Sequence, residues 1–296
     1  NALNTLPKNP KSIFTANAYQ ADEMFKIWAA EKTSQGVPLI IGQHGGTFGV
    51  TSINQSEEHQ IRIADNYMTW GWADTKKDKT IDLPSIQLSD RTPIYFNRKG
   101  AILHVMSSVP RYFYQYFSMP VAGQFLLYIK NQVSFLRALK KDTRDNVNIR
   151  LDLSSVSRSW DIPKALKVAG YDNLIQSSND PILSLLHDCR LCVCTSNAMV
   201  FLETLALNFP TIIFWEPSHH EIRPDAAPFF DMLEEAEILF YTPEAAAKKV
   251  NIIENNVDEW WFSEKVQSAR KQFCQRYARV STDWKYEWSD FLLKLK

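Results

Sequence analysis

The apolar residues of the chain form short runs that alternate with stretches of helical periodicity. Residues 12–16 and 37–42 are apolar runs, which predict buried strands, and residues 20–33 between them repeat apolar positions with the period of a helix. A strand, a helix and a strand in this order predict a parallel pair joined by a right-handed crossover. The same pattern predicts further strands at residues 67–72 and 81–86, separated by a charged turn at residues 74–79.

The second half of the chain repeats this alternation after a break at residues 88–97, where charged residues and Pro93 interrupt the pattern. We therefore expect an α/β fold with two Rossmann-like lobes, one at residues 1–92 and one, with a helical tail, at residues 93–296. In the second lobe the pattern predicts strands at residues 101–106, 147–153, 173–176, 190–194 and 211–215, an aromatic loop at 110–117, and helices at 121–141, 162–169, 181–187, 243–255, 263–277 and 284–296.

Composition and charge narrow the classes of function. Lys plus Arg and Asp plus Glu both number 33, so the basic excess typical of a nucleic-acid-binding protein is absent. No apolar run approaches the roughly 20 residues of a membrane span. The four cysteines offer one CxxC pair without the second half of a zinc site, which predicts buried, reduced thiols. The first residues are polar and Pro-rich, so we expect no signal peptide, and because the chain begins with Asn rather than Met we expect it to be a fragment of a longer protein.

The most informative stretch follows the predicted strand at residues 190–194. Thr195, Ser196 and Asn197 open a helix, and hydroxyl and amide residues at a helix start bind anions such as phosphates. Glu203 lies six residues beyond Asn197, where its carboxylate is placed to accept hydrogen bonds from a ribose diol. We expect this site at the carboxyl edge of a parallel sheet, where such folds bind ligands. The alternative is a helix capped by Ser196 with Glu203 facing solvent.

A second candidate site is the glycine-bearing turn after residues 37–42. Gln43, Gly45 and Gly46 flank His44, and the glycines permit close approach of a substrate. A histidine here takes a proton from an acceptor hydroxyl or holds a phosphate oxygen. The alternative is a tight turn with a hydrogen-bonded histidine.

A third candidate follows the strand at residues 211–215. His219 and His220 are adjacent and so point in different directions, which argues against a metal site. A loop that closes over a sugar or phosphate, with Arg223 as a fixed cation, is the preferred interpretation.

Two further sets of residues are candidates. Asp22 and Glu23, near the start of the first helix, are a candidate base or nucleophile, although carboxylates in a first helical turn are also expected from the helix dipole. Arg111, in the aromatic loop, is placed to grip an anionic substrate, and a purely structural loop is an equal alternative.

The stretches at residues 13–46 and 201–215 resemble GT-B glycosyltransferases, in which a donor-lobe Glu precedes a Pro by seven residues, as Glu203 and Pro210 do here. The chain is most similar to a family of bacterial surface-carbohydrate transferases, with capsule Kdo (3-deoxy-octulosonate) transferases and CDP-glycerol glycerophosphotransferases as relatives. The likeness to the latter lies in the turn at His44 and Gly45, where the relatives have their catalytic base. Asn208 departs from the pattern, because the family usually has glycine there.

The resemblance implies a metal-independent enzyme with a nucleotide-sugar donor as substrate, no cofactor, and a glycan or lipid-linked acceptor. It also implies an N-terminal acceptor-side lobe that is incomplete here and a C-terminal nucleotide-binding lobe. By resemblance the donor is a CMP-activated acid such as CMP-Kdo, and the place of action is the cytoplasm, with peripheral association at the inner face of the membrane. Transfer from a CDP-linked polyol donor and a non-catalytic nucleotide- or glycan-binding module are the alternatives.

Overall fold

The computed structural model describes residues 6–73, 79–92, 94–113, 118–151, 160–176 and 180–295. Their strands form two separate parallel sheets. The first sheet has the order β1-β2-β3-β4, with every neighbouring pair parallel. Its strands are β1 (Ile13–Thr15), β2 (Leu39–Gly42), β3 (Asn66–Thr69) and β4 (Thr80–Asp82).

Short helices join these strands. The predicted helix at residues 20–33 is two helices, because the Asp22 carboxylate accepts a hydrogen bond from the backbone of Phe25 and starts a new helix. The helix at residues 55–63 has no counterpart among the predicted elements: its buried side chains are Glu57, Gln60 and Ile61, so two of its three inward positions are polar. The helices of this half are α1 (Ala18–Ala21), α2 (Glu23–Ser34), α3 (Gln55–Ile63) and α4 (Ile86–Ser89).

The second sheet has the order β6-β5-β7-β8-β9 and is also parallel throughout. The predicted α/β fold with two Rossmann-like lobes is thereby confirmed. The predicted strand at residues 173–176 is wrong: Leu174 closes a 3-10 turn on Tyr171, and only Ile175 bridges to the sheet. The strands are β5 (Ala101–Val105), β6 (Val147–Arg150), β7 (Cys189–Cys194), β8 (Thr211–Phe214) and β9 (Leu239–Phe240).

Helices cover both faces of the second sheet, and two clusters of buried side chains lie between them and the strands. All four cysteines are buried and free. Most of the predicted turn at residues 74–79 and part of the predicted loop at 110–117 lie outside the described residues. The helices are α5 (Gln124–Ala138), α6 (Lys141–Arg144), α7 (Ile162–Ala169), α8 (Ile182–Leu185), α9 (Met199–Ala206), α10 (Ala227–Glu235), α11 (Pro243–Ile253), α12 (Val257–Trp261) and α13 (Glu264–Tyr277).

The last helix, α14 (Trp284–Lys294), returns to the first sheet. Trp288 donates a hydrogen bond from its indole nitrogen to the carbonyl of Pro84 at 2.9 Å. Its ring contacts Phe14 of β1 edge-on, with the centroids 5.7 Å apart. Helix α14 therefore packs on the sheet that β1 belongs to, and the division of the chain at residue 92 stays a prediction.

A buried histidine makes the stability of the second lobe dependent on pH. His104 of β5 is fully buried, stacks on Phe135 and contacts Gln132 at 2.9 Å through Nε2. Burial lowers its pKa to about 4, although the Gln132 hydrogen bond opposes the shift. Since the unfolded chain then binds more protons below pH ~6.5, stability is lost as the pH falls from there towards 4.

The free energy of unfolding of the wild type should fall when the pH is lowered from 7 to 5. In His104→Leu it should fall by about 2 kcal/mol less over the same range. Urea unfolding at the two pH values measures the difference. The exposed His187 provides the control, and His187→Leu should keep the wild-type dependence. Equal pH dependence in wild type and His104→Leu would show that His104 does not resist protonation.

Candidate active site between the two sheets

The carboxyl ends of β5 and β7 are neighbours in the second sheet, at the point where the strand order reverses. Open parallel sheets bind ligands at such a point. The Thr195 hydroxyl donates to the carbonyl of Val105 at 2.9 Å and lies 2.7 Å from the Tyr128 hydroxyl. Ser196 and Ser107 bring their hydroxyl oxygens within 2.5 Å of each other. Ser107 and Tyr128 were not among the predicted site residues, although Ser107 directly follows a predicted strand.

The helix after β7 begins later than its sequence suggests. Ala198 occupies the cap position of α9 and has no polar side chain that could accept a capping hydrogen bond, so Ser196 is not the cap. Thr195, Ser196 and Asn197 instead form the turn before the helix. Asn197 is only 2% exposed, and neither atom of its amide has a hydrogen-bond partner among the described residues. A buried amide without partners is costly, and it is the natural contact for a ligand.

Glu203 lies on α9 with its side chain only 13% exposed, so it does not face solvent. Its carboxylate receives the guanidinium of Arg91, from the segment that links the sheets, at 3.1 Å. Burial raises the pKa of Glu203, while Arg91 opposes the shift. The predicted contact of Glu203 with a ribose stays a prediction. A ribose bound there would compete with Arg91 for the Glu203 carboxylate.

The Gln43 side chain stabilises the turn after β2, which carries His44. Gln43 is buried, and its amide donates to the carbonyl of Gly45 at 2.8 Å while its oxygen accepts from the Trp70 backbone at 3.1 Å. Gln43 thus shapes the turn. His44 is half-buried, with its ring 5.0 Å from that of Phe48. Burial lowers the pKa of His44, and a hydrogen bond to the backbone of Ala16 opposes the shift, so the ring is neutral at pH 7.

This turn meets the start of α9. A methyl group added at Gly46 would lie 2.9 Å from the backbone carbonyl of Ala198 and 3.1 Å from Leu202. At Gly45 it would lie 2.7 Å from the ring of Phe48. Gly46 therefore allows the His44 turn to pack directly on the second lobe, and Gly45 allows the turn to pack against its own Phe48. The structure thus brings together the two strongest predicted sites, at His44 and at Asn197.

The loop after β8 contacts the first lobe near the His44 turn. His219 and His220 are buried, and burial lowers both pKa values, that of His220 to about 3, so both rings are neutral at pH 7. Arg223 donates to the carboxylate of Glu57, on α3 of the first lobe, at 2.8 Å. Thr51 also bridges Ile222 in an antiparallel contact between the lobes. Glu57 was not predicted, and its role is visible only once α3 is placed.

Three predicted site residues lie on the surface. Asp22 is exposed and caps α2, and Glu23 is exposed and pairs with Lys26. Arg111 is exposed and lies over the ring of Trp160 at 5.6 Å. Each has a structural partner that accounts for its position, and their predicted roles in catalysis or binding stay predictions.

The described residues show neither a metal cluster nor a membrane-spanning helix. Within the described ranges, no group of three or more His, Cys, Asp or Glu side chains is placed to hold a metal ion. Among the helices that the structure describes, none is both long enough and apolar enough to cross a bilayer.

Two parallel α/β lobes that contact each other beyond the carboxyl ends of their strands are the arrangement of the GT-B fold of glycosyltransferases. Solved structures with this fold confirm the likeness. A variant of TarM of S. aureus has a TM-score of 0.51 at 14% identity, over 86% of this chain and 51% of its own. MurG of Acinetobacter baumannii has a TM-score of 0.52 at 11% identity, over 96% of this chain and 75% of its own. HepE of Anabaena has a TM-score of 0.54 at 11% identity, over 96% of this chain and 78% of its own.

The family follows from the sequence itself. A family model described as LIC12162 family transferase matches residues 1–292, and the chain belongs to this family of transferases. A comparison with the curated proteins finds no match. The chain spans about half of the length of the TarM chain.

Proposed function

We propose that this transferase is a glycosyltransferase that moves a sugar from a nucleotide-linked donor to a bacterial surface glycan. The observation that carries the proposal is Asn197. Its partnerless amide is buried where a parallel sheet reverses its strand order, directly before a helix whose first backbone N–H groups attract anions. The hydroxyls of Ser107, Thr195 and Ser196 follow the carboxyl ends of the same two strands, β5 and β7.

The structural neighbours support a nucleotide at this site. The TarM structure contains UDP together with α-GlcNAc-glycerol, and a HepE structure contains UDP and glucose. Both proteins share the fold of this chain. We assign the nucleotide to the second lobe, with phosphates at residues 195–197, where the Asn197 amide is buried without a partner among the described residues, and with the ribose near Glu203.

His44 is the proposed general base. Its lowered pKa keeps the ring neutral at pH 7, which is the form that accepts a proton from an acceptor hydroxyl. The Gly46 contact with Ala198 brings the His44 turn to the donor side of the cleft. Asp22 remains the alternative base. The neutral His219 is proposed as a hydrogen-bond donor to the departing nucleotide.

The identity of the donor rests on resemblance. We propose a CMP-activated acid such as Kdo, used without a metal cofactor in the cytoplasm, by a protein that associates peripherally with the inner face of the membrane. A CDP-linked polyol phosphate is the second candidate donor. The His-Gly pair at residues 44–45 favours it, because glycerophosphotransferases have the same pair in this turn.

Calorimetric titration with CMP, CDP, UDP, GDP and ADP, each with and without EDTA, tests the proposal. Selective binding that EDTA leaves unchanged is expected, and a cytidine nucleotide as the tightest ligand would support both candidate donors. Binding without turnover of any donor would favour a non-catalytic module. If none of the five nucleotides binds, the proposal is overturned.

The Asn197→Ala variant tests the position of the site. Because the amide has no protein partner to lose, we expect little change in folding, while the Kd of the best nucleotide rises about 10-fold or more through the loss of one or two hydrogen bonds. Asn255, which is exposed on the second lobe, provides a matched control, and Asn255→Ala should bind as the wild type does. Unchanged affinity in Asn197→Ala would place the nucleotide elsewhere.

A further inference from the structure

A carboxylate buried between the lobes has two partners, one in each lobe. Glu57 of α3 is 3% exposed. One of its oxygens accepts from the backbone N–H of Gly49 at 2.6 Å, and the other accepts from the guanidinium of Arg223 at 2.8 Å. Gly49 ends the turn that carries His44, and Arg223 belongs to the second lobe. A single side chain therefore ties the far end of the His44 turn to the other lobe.

A second connection from Arg223 reaches the near end of the same turn. The guanidinium lies over the ring of Trp72 at 5.3 Å. The indole nitrogen of Trp72 donates to the Gln43 side-chain oxygen at 2.8 Å, and the Gln43 amide in turn donates to the carbonyl of Gly45 at 2.8 Å. Trp72, Gln43 and Gly45 thus link the arginine to the residues on either side of His44.

The backbone at Gly49 shows how closely this turn is fitted. Its φ of +78° is a conformation that favours glycine, and a methyl group there would lie 2.5 Å from the ring of Trp72. The turn is therefore held at Gly49 by Glu57 and Trp72, and at Gln43 by Trp72. The backbone that carries His44 is therefore restrained on both sides of that residue.

We propose that Glu57 is a positioning residue for His44, and that through Arg223 it makes the position of His44 depend on the contact between the lobes. The inference rests on the proposed function for the catalytic role of His44, and on the contacts above for its geometry. When the lobes separate, Arg223 leaves Glu57 and Trp72, and both ends of the turn lose a restraint. The base is then in place only while the two lobes are in contact.

The test compares Glu57→Gln with Glu58→Gln, its exposed neighbour on the same helix. Histidine-labelled protein gives the His44 pKa by NMR, and hydrogen exchange gives the protection of residues 45–49. In Glu57→Gln we expect the His44 pKa to rise towards its ordinary value of about 6.5 and the protection to fall at least tenfold. Removal of a negative charge alone would favour the neutral ring, so a rise in pKa reports the loss of burial.

Glu58→Gln should match the wild type in both measurements. For a wild type that turns over a donor, kcat of Glu57→Gln should fall while the donor KM stays unchanged, since the nucleotide site is in the other lobe. Trp72→Phe, which removes the indole N–H bond to Gln43 and part of the ring that Arg223 lies over, should reproduce the pKa shift if Glu57→Gln fails to fold. A wild-type His44 pKa and wild-type protection in the variant that folds would overturn the inference.

These readouts separate the inference from the proposed function. The NMR and exchange measurements need no substrate, so they test the role of Glu57 even if the wild type binds no nucleotide. Conversely, nucleotide binding with an unchanged turn in Glu57→Gln would leave the proposed function standing and remove the positioning role.

Discussion

Replacement of Arg223 by alanine should lower the free energy of unfolding by about 3–5 kcal/mol, because it leaves a buried carboxylate without its counter-ion. The Glu57 side chain is 4% exposed and that of Arg223 is 18% exposed, so solvent replaces little of the lost interaction. The variant also removes the stacking on Trp72. Urea unfolding at pH 7 measures the loss.

The chain provides a matched control for this prediction. Arg98 pairs with Asp258 at 2.9 Å, but the Arg98 side chain is 75% exposed, and such surface pairs contribute about 0–1 kcal/mol. Arg98→Ala should therefore stay within about 1 kcal/mol of the wild type. Combining Arg223→Ala with Glu57→Gln removes the unpaired charge and should recover part of the stability. Equal losses in Arg223→Ala and Arg98→Ala would mean that the pair between the lobes contributes no more than a surface pair.

The parts of the fold that were predictable are those with a regular apolar pattern. The strand at residues 190–194 was placed correctly because β7 is buried throughout. A helix was also expected after it, although α9 begins only at Met199, after the polar turn. The carboxyl-edge rule then predicted Thr195, Ser196 and Asn197 as neighbours of the cleft. Ser107 obeys the same rule after β5, so the sequence contained the signal for it as well.

The parts that were not predictable depend on polar burial and distant pairing. α3 has no apolar stripe, since it buries Glu57 and Gln60, and a periodicity search does not detect such a helix. Glu57 and Arg223 are 166 residues apart, and Arg91 and Glu203 are 112 apart. No local pattern links such pairs. They become visible only when the two lobes pack against each other.

The same distinction applies to the carboxylates at the start of the first helix. Asp22 and Glu23 were candidates because their residue type suits a base, and the structure gives one a capping bond and the other an ion pair on the surface. His44 was a candidate because of its place after a strand, and the structure puts the turn that carries it at the contact between the lobes, through Gly46. Position relative to a strand end therefore carried more information than residue type.

Replacement of His44 by alanine should lower kcat by about 10²–10⁴-fold, the usual contribution of a general base, with the Kd of the nucleotide unchanged. Turnover is followed by nucleotide release from the donor that the titrations identify. His187→Ala, at an exposed site, is the matched control and should turn over at the wild-type rate.

The pH dependence gives this prediction a second, independent readout. Because burial lowers the pKa of His44, its ring is already deprotonated when the rising pH reaches ~6.5. The kcat/KM of the wild type should therefore rise with pH to a plateau reached by about pH 7. His44→Ala should lack that rise. A His44→Ala variant with the wild-type rate and pH profile would remove the base assignment, and a comparable loss in Asp22→Ala would then transfer the role to that carboxylate. If His44→Ala loses activity and Asp22→Ala does not, proton transfer is assigned to His44, the one titratable side chain of residues 43–49.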